Sequence, residues 1–82
     1  MTHSIRTFRQ LGALIQTARH RRNLTQKSLA DLVGTGQKTI SQIENGHDGI
    51  RVETLFRIVA ALDLELQLGP RSKVGHEIED IF

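Results

Sequence analysis

Apolar residues recur at intervals of three and four along four stretches of the chain, the spacing that gathers them on one side of an α-helix. These stretches predict helices over residues 8–22, 26–33, 37–45 and 52–62. The first helix would bury a stripe made of Phe8, Leu11, Leu14, Ile15 and Ala18. The fourth would bury Leu55, Phe56, Ile58, Val59 and Leu62. The pattern therefore predicts an all-α bundle.

The periodicity changes after the fourth helix. Leu64, Leu66 and Leu68 alternate with polar residues, which is the pattern of a half-buried β-strand. A lone strand leaves its backbone N–H and C=O groups without partners inside a helical chain. We therefore expect residues 64–68 to act as a dimerisation strand, paired with the same segment of a second copy across a two-fold axis. The alternative is an irregular extended segment packed on its own domain.

Residues 25–46 are typical of two short helices joined by a tight glycine turn. Thr25 can cap the first of these helices through its hydroxyl, and Gly46 supplies a stop after the second. Gly34 stands where the turn requires a positive φ, which glycine adopts at little cost. A turn of three residues, Gly34 to Gly36, suits the helix-turn-helix motif. Together these positions predict that motif.

The second helix of the motif has two chemically different faces. At about 100° per residue, Ile40 and Ile43 fall on one side of it. The other side carries amides, a hydroxyl and an amine, from Gln37, Lys38, Ser41, Gln42 and Asn45. Amide side chains can form paired hydrogen bonds with adenine, and lysine can reach guanine or a phosphate. This side, called the reading face below, is therefore a candidate for base recognition, with plain solvated helix surface as the alternative.

Four segments of the chain resemble the Cro/C1-type repressor family, also called the XRE family. They are RHRRNLTQ at 19–26, LADLVG at 29–34, TISQIENG at 39–46 and TLFRIVAAL at 54–62. The resemblance covers roughly residues 9–68 and implies a lambda-repressor-like helix-turn-helix bundle. Within the family, the ungapped core and the segment LDLELQL favour the antitoxins of HipA-type kinase toxin–antitoxin systems.

The family resemblance, for Gln26, and the chemistry of the other residues together indicate which side chains contact DNA. Gln26 would anchor DNA at the start of the second helix, where a helix N-terminus attracts phosphate. Base contacts would come from the outward polar side chains of the third helix, namely Gln37, Lys38 and Gln42, with the shorter Ser41 beside them. Contacts to the DNA backbone would come from Thr39, Asn45, Arg51 and Arg22.

Arg19 and Glu44 are assigned a structural role. Arg19 lies at the edge of the apolar stripe of the first helix, and Glu44 lies at the edge of the apolar face of the third. The family resemblance implies an ion pair between them that fixes the angle of the third helix. Its net contribution to stability would be small, because desolvation of both charges offsets their attraction.

Length and charge suggest how the chain is organised. A chain of 82 residues is one small domain, and burial against a second copy would help to stabilise it. We expect a flexible start over 1–6, the DNA-binding domain over 7–68 and a mobile tail over 69–82. The first 27 residues contain no acid, and the last nine contain no lysine or arginine. This asymmetry favours phosphate contact near the basic start of the chain.

Composition argues against several other classes of protein. No cysteine occurs, which excludes disulfide frameworks and thiolate zinc sites. No two of the histidines, which are His3, His20, His47 and His76, share metal-ligand spacing on one helix, so we expect neither a metal nor a cofactor. No nucleophile–base pair or phosphate-cradling loop is present, so we expect no enzyme. With no long apolar run or signal-like start, the protein is expected to be cytoplasmic and without a membrane partner.

Two compatible functions follow from these features. The first is a transcriptional repressor that binds an inverted-repeat operator in double-stranded DNA as a homodimer. The second adds an antitoxin role, in which the protein restrains a HipA-like kinase toxin and represses its own operon. The alternative is a stand-alone phage- or plasmid-type repressor without a toxin partner. Gly36 lacks the side chain that the antitoxins present at that point, so their operator cannot be carried over.

Overall fold

The fold is all-α, as the hydrophobic pattern predicts. A computed structural model describes residues 4–71 and forms four helices over that range. They are α1 Phe8–Arg21, α2 Gln26–Val33, α3 Gln37–Glu44 and α4 Val52–Ala61. Helices α1, α3 and α4 end one residue before the predicted limits, because Arg22, Asn45 and Leu62 are C-caps. The expectations for residues 1–3 and for the tail from 72 to 82 lie outside the described residues.

Side-chain caps begin α1 and α2, and residues in the left-handed conformation follow the ends of α1 and α4. Thr7 and Gln10 form a capping box at the start of α1, and the Thr25 hydroxyl accepts from Ser28 N at 2.9 Å at the start of α2. Helices α1 and α4 are each followed by a residue with φ of +56°, Asn23 and Asp63. Such a left-handed residue ends a helix and lets the chain leave at a new angle.

The core lies between the four helices, where α3 packs on α1 and α2, and α4 packs on α2. It is formed by buried aliphatic side chains, namely Ile15, Leu29, Ala30, Val33, Ile40, Ile43, Ile58 and Leu62. Two residues expected to be buried are instead largely exposed, Phe8 at 47% and Phe56 at 54%. Phe56 precedes the fully buried Ile58 by two residues, which is about 200° around a helix, so both cannot face the same core. The sequence pattern of α4 is apolar on two sides, and the fold covers only one of them.

Two glycines let α1 rest directly on the end of α3. A Cβ at Gly12 would overlap the backbone carbonyl oxygen of Ile43 and lie 2.7 Å from that of Glu44. A Cβ at Gly46, where φ is +84°, would lie 3.0 Å from the Cα of Arg9. Glycine in mid-helix normally weakens the helix. Here Gly12 is explained by the backbone-to-backbone approach that sets the position of α3.

The predicted strand is not formed within the single chain. Among the described residues that follow Asp63 there is no regular secondary structure. Leu64, Leu66 and Leu68 are 38%, 42% and 95% exposed. Residues 64–68 border an apolar groove of about 510 Å³ between α1 and α4, floored by Leu11, Leu14, Leu55 and Val59. Because strand pairing needs a second copy, residues 64–68 as a dimerisation strand stay a prediction.

Candidate nucleic-acid interface

The reading face of α3 is open to solvent, and its opposite side is in the core. Ile40 is fully buried and Ile43 is 6% exposed, which holds the short helix against α1 and α2. On the other side, Gln37, Lys38, Gln42 and Asn45 are exposed and Ser41 is half-buried. Thr39, at the border between the two sides, is also half-buried. The helix therefore offers amide and amine groups to a partner without any change in its packing.

The turn before α3 has the geometry that the motif requires. Gly34 caps α2 with φ of +83°, and its N–H and that of Thr35 both donate to the Ala30 carbonyl, at 2.9 and 3.0 Å. Gly36 is the N-cap of α3 and makes no side-chain cap. A Cβ at Gly36 would meet no atom within 4 Å, so a side chain there would project freely beside the reading face.

Arg19 and Glu44 form a buried, bidentate ion pair between α1 and α3. Arg19 Nε donates to Glu44 Oε2 at 2.7 Å, and Nη2 donates to Oε1 at 3.1 Å. The remaining Arg19 Nη1 donates to the Leu24 carbonyl at 2.7 Å. Both side chains are under a tenth exposed. A planar guanidinium suits such a paired contact, and its other bonds satisfy the buried donors.

A chain of hydrogen bonds leads from this ion pair to the reading face. Gln26 Nε2 donates to Glu44 Oε1 at 3.1 Å, and Gln37 Nε2 donates to Gln26 Oε1 over a longer 3.5 Å. The sequence identified all of these residues separately, but not the bonds between them. Gln26 and Glu44 are 18 positions apart and on different helices, so no local pattern signals the contact.

Two further DNA-contact candidates flank α3. The Asn45 side chain, at the C-cap of α3, donates through Nδ2 to the Ser41 carbonyl at 2.8 Å. Arg51 is the exposed N-cap of α4. Asn45 therefore lies at the end of α3 beside the reading face, and Arg51 lies at the end of the loop that joins α3 to α4. Their predicted contacts to the DNA backbone are compatible with this exposure.

Arg22 has partners that the sequence did not indicate. Its Nε donates to the Leu62 carbonyl at 2.9 Å, and its Nη2 lies 3.2 Å from the Asp63 carboxylate. These contacts join the end of α1 to the end of α4. None of the hydrogen bonds of Arg22 in the described part of the chain links it to α3. Its predicted phosphate contact stays a prediction, with a structural role beside it.

Residues 4–71 offer neither a metal site nor a membrane-spanning helix. No group of three histidine, aspartate or glutamate side chains there lies close enough together to hold a metal ion. Over the same residues, no helix combines the length and the apolar character needed to cross a bilayer.

Known helix-turn-helix proteins resemble this chain in sequence. A family profile described as helix-turn-helix matches residues 15–68. Antitoxin HipB of Escherichia coli K12 is 36% identical over 59 residues, covering 72% of this chain and 67% of HipB. The ImmF control region 10 kDa protein of Bacillus phage phi105 is 35% identical over 60 residues, covering 73% of this chain and 67% of that protein.

A solved structure shares the fold of this chain. The structure of a HipA-HipB-O2-O3 complex contains a chain that matches with a TM-score of 0.74 and 33% identity, covering 82% of this chain and 94% of that one. The relatives are an antitoxin and a control-region protein, neither of them an enzyme, in agreement with the expectation from the sequence. The profile match, the identity and the shared fold show that the chain belongs to the helix-turn-helix family of the Cro/C1 (XRE) type.

Proposed function

We propose that the protein is a sequence-specific, double-stranded-DNA-binding repressor of transcription. One observation carries the proposal: the reading face is exposed on a helix whose other side is buried. A rigid rod that presents amides and an amine can enter the major groove and bind base edges without reorganising its own fold. Gln26, Thr39, Asn45, Arg51 and Arg22 would fix its register on the backbone.

The proposed repressor acts as a homodimer. Val52 and Phe56 lie one turn apart on α4 and are 65% and 54% exposed. Leu64 and Leu66, in the segment after α4, are 38% and 42% exposed. A single copy leaves these apolar side chains in contact with water, and exposed apolar surface marks interaction sites. A second copy would cover it and supply the partner strand for residues 64–68. Two copies of α3 would then reach successive major grooves about 34 Å apart, which requires an inverted-repeat operator.

The finer proposal is an antitoxin that also represses its own operon. HipB, at 36% identity, is an antitoxin, and it is found in a complex with HipA. The likeness extends over 94% of the HipB chain in that complex. The partner proposed for this chain is therefore a HipA-like kinase toxin.

A stand-alone phage- or plasmid-type repressor is the second candidate. The similarity to a phage control-region protein, 35% over 60 residues, favours it almost as strongly. The two candidates differ in the neighbouring reading frame. A kinase-like frame that overlaps or follows this one, and a kinase that co-purifies with the protein, would support the antitoxin; their absence would support the stand-alone repressor.

The test of the shared proposal is protection mapping of the DNA upstream of the chain's own reading frame with purified protein. We expect protection of an inverted repeat, centred on two half-sites about one helical turn apart. A duplex of the same length and scrambled sequence is the control. Equal protection of both duplexes would contradict sequence-specific binding.

A further inference from the structure

A cleft of about 420 Å³ lies between the turn before α3 and the loop that leads into α4. We call it the turn cleft. Thr39 and Gln42 line it from α3, and Arg57 lines it from the middle of α4. Because Gln42 also belongs to the reading face, the mouth of the cleft borders the surface proposed to meet DNA.

The charges of the turn cleft are balanced. Arg51 and Arg57 contribute two positive charges, Asp48 and Glu53 contribute two negative charges, and His47 also lines the wall. With His47 neutral, the formal sum is zero. The cleft therefore has no net attraction for an anion, but an arginine that is weakly paired with a carboxylate can exchange that carboxylate for an anion.

Arg57 is the arginine that is free to make such an exchange. Its Nη2 lies 3.6 Å from Glu53 Oε2, beyond the 2.7–2.9 Å of a strong charge-assisted bond. The two side chains are 55% and 69% exposed, and pairs so exposed contribute little to stability. Arg22, by contrast, is bonded to the Leu62 carbonyl at 2.9 Å, and Arg19 is buried with Glu44.

Glu53 does not depend on Arg57 for its own stabilisation. It lies in the first turn of α4, where the partial positive charge of the helix N-terminus favours a carboxylate. Arg57 also reaches the motif itself, since its Nη1 lies 4.0 Å from the position of a Cβ on Gly34. The guanidinium therefore lies beside the turn that leads into α3.

We propose that Arg57 is a positioning residue that exchanges Glu53 for a phosphate of the DNA backbone when α3 enters the major groove. The contact would fix the depth and register of the turn and would carry no sequence preference, because every nucleotide has the same phosphate. This inference rests on the proposed function, and it concerns a residue that the sequence did not single out.

The test is the salt dependence of DNA binding by R57A, with R71A as the matched control. Arg71 is an exposed arginine beyond Pro70 and outside the cleft. The probes are a duplex from upstream of the chain's own reading frame and a random duplex of equal length. Loss of one phosphate contact should flatten the slope of log K against log salt by about 0.9. From 50 to 200 mM salt, the deficit of R57A relative to wild type should therefore shrink about 3.5-fold, equally on both probes.

Two further variants test the exchange with Glu53. E53Q should tighten binding about two- to fivefold, since it removes the competing carboxylate. In the R57A background the same E53Q change should tighten binding less, because it then removes only the general repulsion between the carboxylate and DNA. R57K should restore most of the salt slope, because lysine retains the charge.

The outcomes separate this inference from a structural role and from the proposed function. A cation near the C-terminus of α2 could merely stabilise that helix, in which case R57A would lower the Tm and leave the slope unchanged. A slope for R57A equal to that of R71A overturns the phosphate contact. Tightening by E53Q that is equally large without Arg57 overturns the exchange. If wild-type protein binds neither duplex, the proposed function fails and this inference fails with it.

Discussion

At the scale of single residues, the reading face depends on side chains that the fold leaves free and on others that it engages. In the described part of the chain, the side chains of Lys38 and Gln42 make no hydrogen bond to another protein group, whereas the side chain of Gln37 donates to Gln26. Gln26 in turn bonds to the buried carboxylate of Glu44. The amide of Gln37 is therefore partly oriented before any base is bound.

Gln37→Ala should weaken binding to the operator by about 1–3 kcal/mol, the value of one bidentate base contact, and relax specificity at one base pair. Binding to random DNA should be nearly unchanged. Competition binding with single-base operator variants measures both effects. Gln16→Ala, an exposed glutamine of α1, is the control. Equal losses on operator and random DNA would contradict a base-reading role for Gln37.

Glu44→Gln should lower the free energy of unfolding by about 3–5 kcal/mol, because it leaves the Arg19 guanidinium buried without its counter-charge. Replacing both partners, with Arg19→Met and Glu44→Leu together, should cost less than the single change, since no buried charge then remains. Urea unfolding followed by circular dichroism measures both. If the double variant is less stable than Glu44→Gln, the attraction within the ion pair outweighs the cost of desolvating its two charges, and the prediction of a small net contribution is wrong.

At the scale of helices, the placement of α3 is decided by backbone contact as much as by side-chain packing. Gly12 brings α1 against the carbonyl groups of Ile43 and Glu44, and Gly46 leaves room for the backbone of Arg9. The angle of α3 therefore depends on two glycines, which have no side chain that could contact DNA.

Gly12→Ala should destabilise the fold by about 1–3 kcal/mol, although alanine favours helices, because the added methyl overlaps backbone that cannot rotate away. It should also weaken operator binding, since α3 must shift. Thermal unfolding and operator titration measure the two effects. The control is Gly69→Ala, where a Cβ meets nothing within 4 Å. An unchanged Tm for the Gly12 variant would mean that α1 and α3 separate easily.

At the scale of the whole molecule, most of the large apolar residues that one copy leaves exposed, in the part of the chain that the structure describes, lie on α4 and the segment after it. Phe56 faces away from the core, and Leu66 borders the groove between α1 and α4. A small domain buries a limited fraction of its surface, so pairing would contribute strongly to its stability. Dimerisation and operator binding would then be linked, because a monomer contacts only one of the two half-sites and makes half of the contacts with DNA that a dimer makes.

Leu66→Asp should shift the protein from dimer to monomer and weaken operator binding at least tenfold, since it places a charge in the apolar contact. Sedimentation velocity at several protein concentrations gives the oligomeric state. Leu32→Asp provides the comparison, because Leu32 is 64% exposed on α2 and outside the groove. A Leu66→Asp variant that remains dimeric would contradict the assignment of 64–68 to the interface.

Much of this protein follows from its sequence because helices are local structures. Caps, faces and limits depend on residues up to four positions apart, so the pattern predicted all four helices and placed Gln37, Lys38 and Gln42 on the outer side of α3. The stop at Gly46 and the left-handed turn at Gly34 follow for the same reason, since glycine is the residue that adopts positive φ at little cost.

The tertiary structure alone determines the contacts between residues that are far apart in the sequence. The contact of Gly12 with the end of α3, the bond from Gln26 to Glu44 and the bonds of Arg22 to Leu62 and Asp63 join residues 18 to 41 positions apart. Exposure of Phe56 was likewise settled by which side of α4 met the core. A hydrophobic pattern states that a face must be covered, but only the assembled helices determine what covers it.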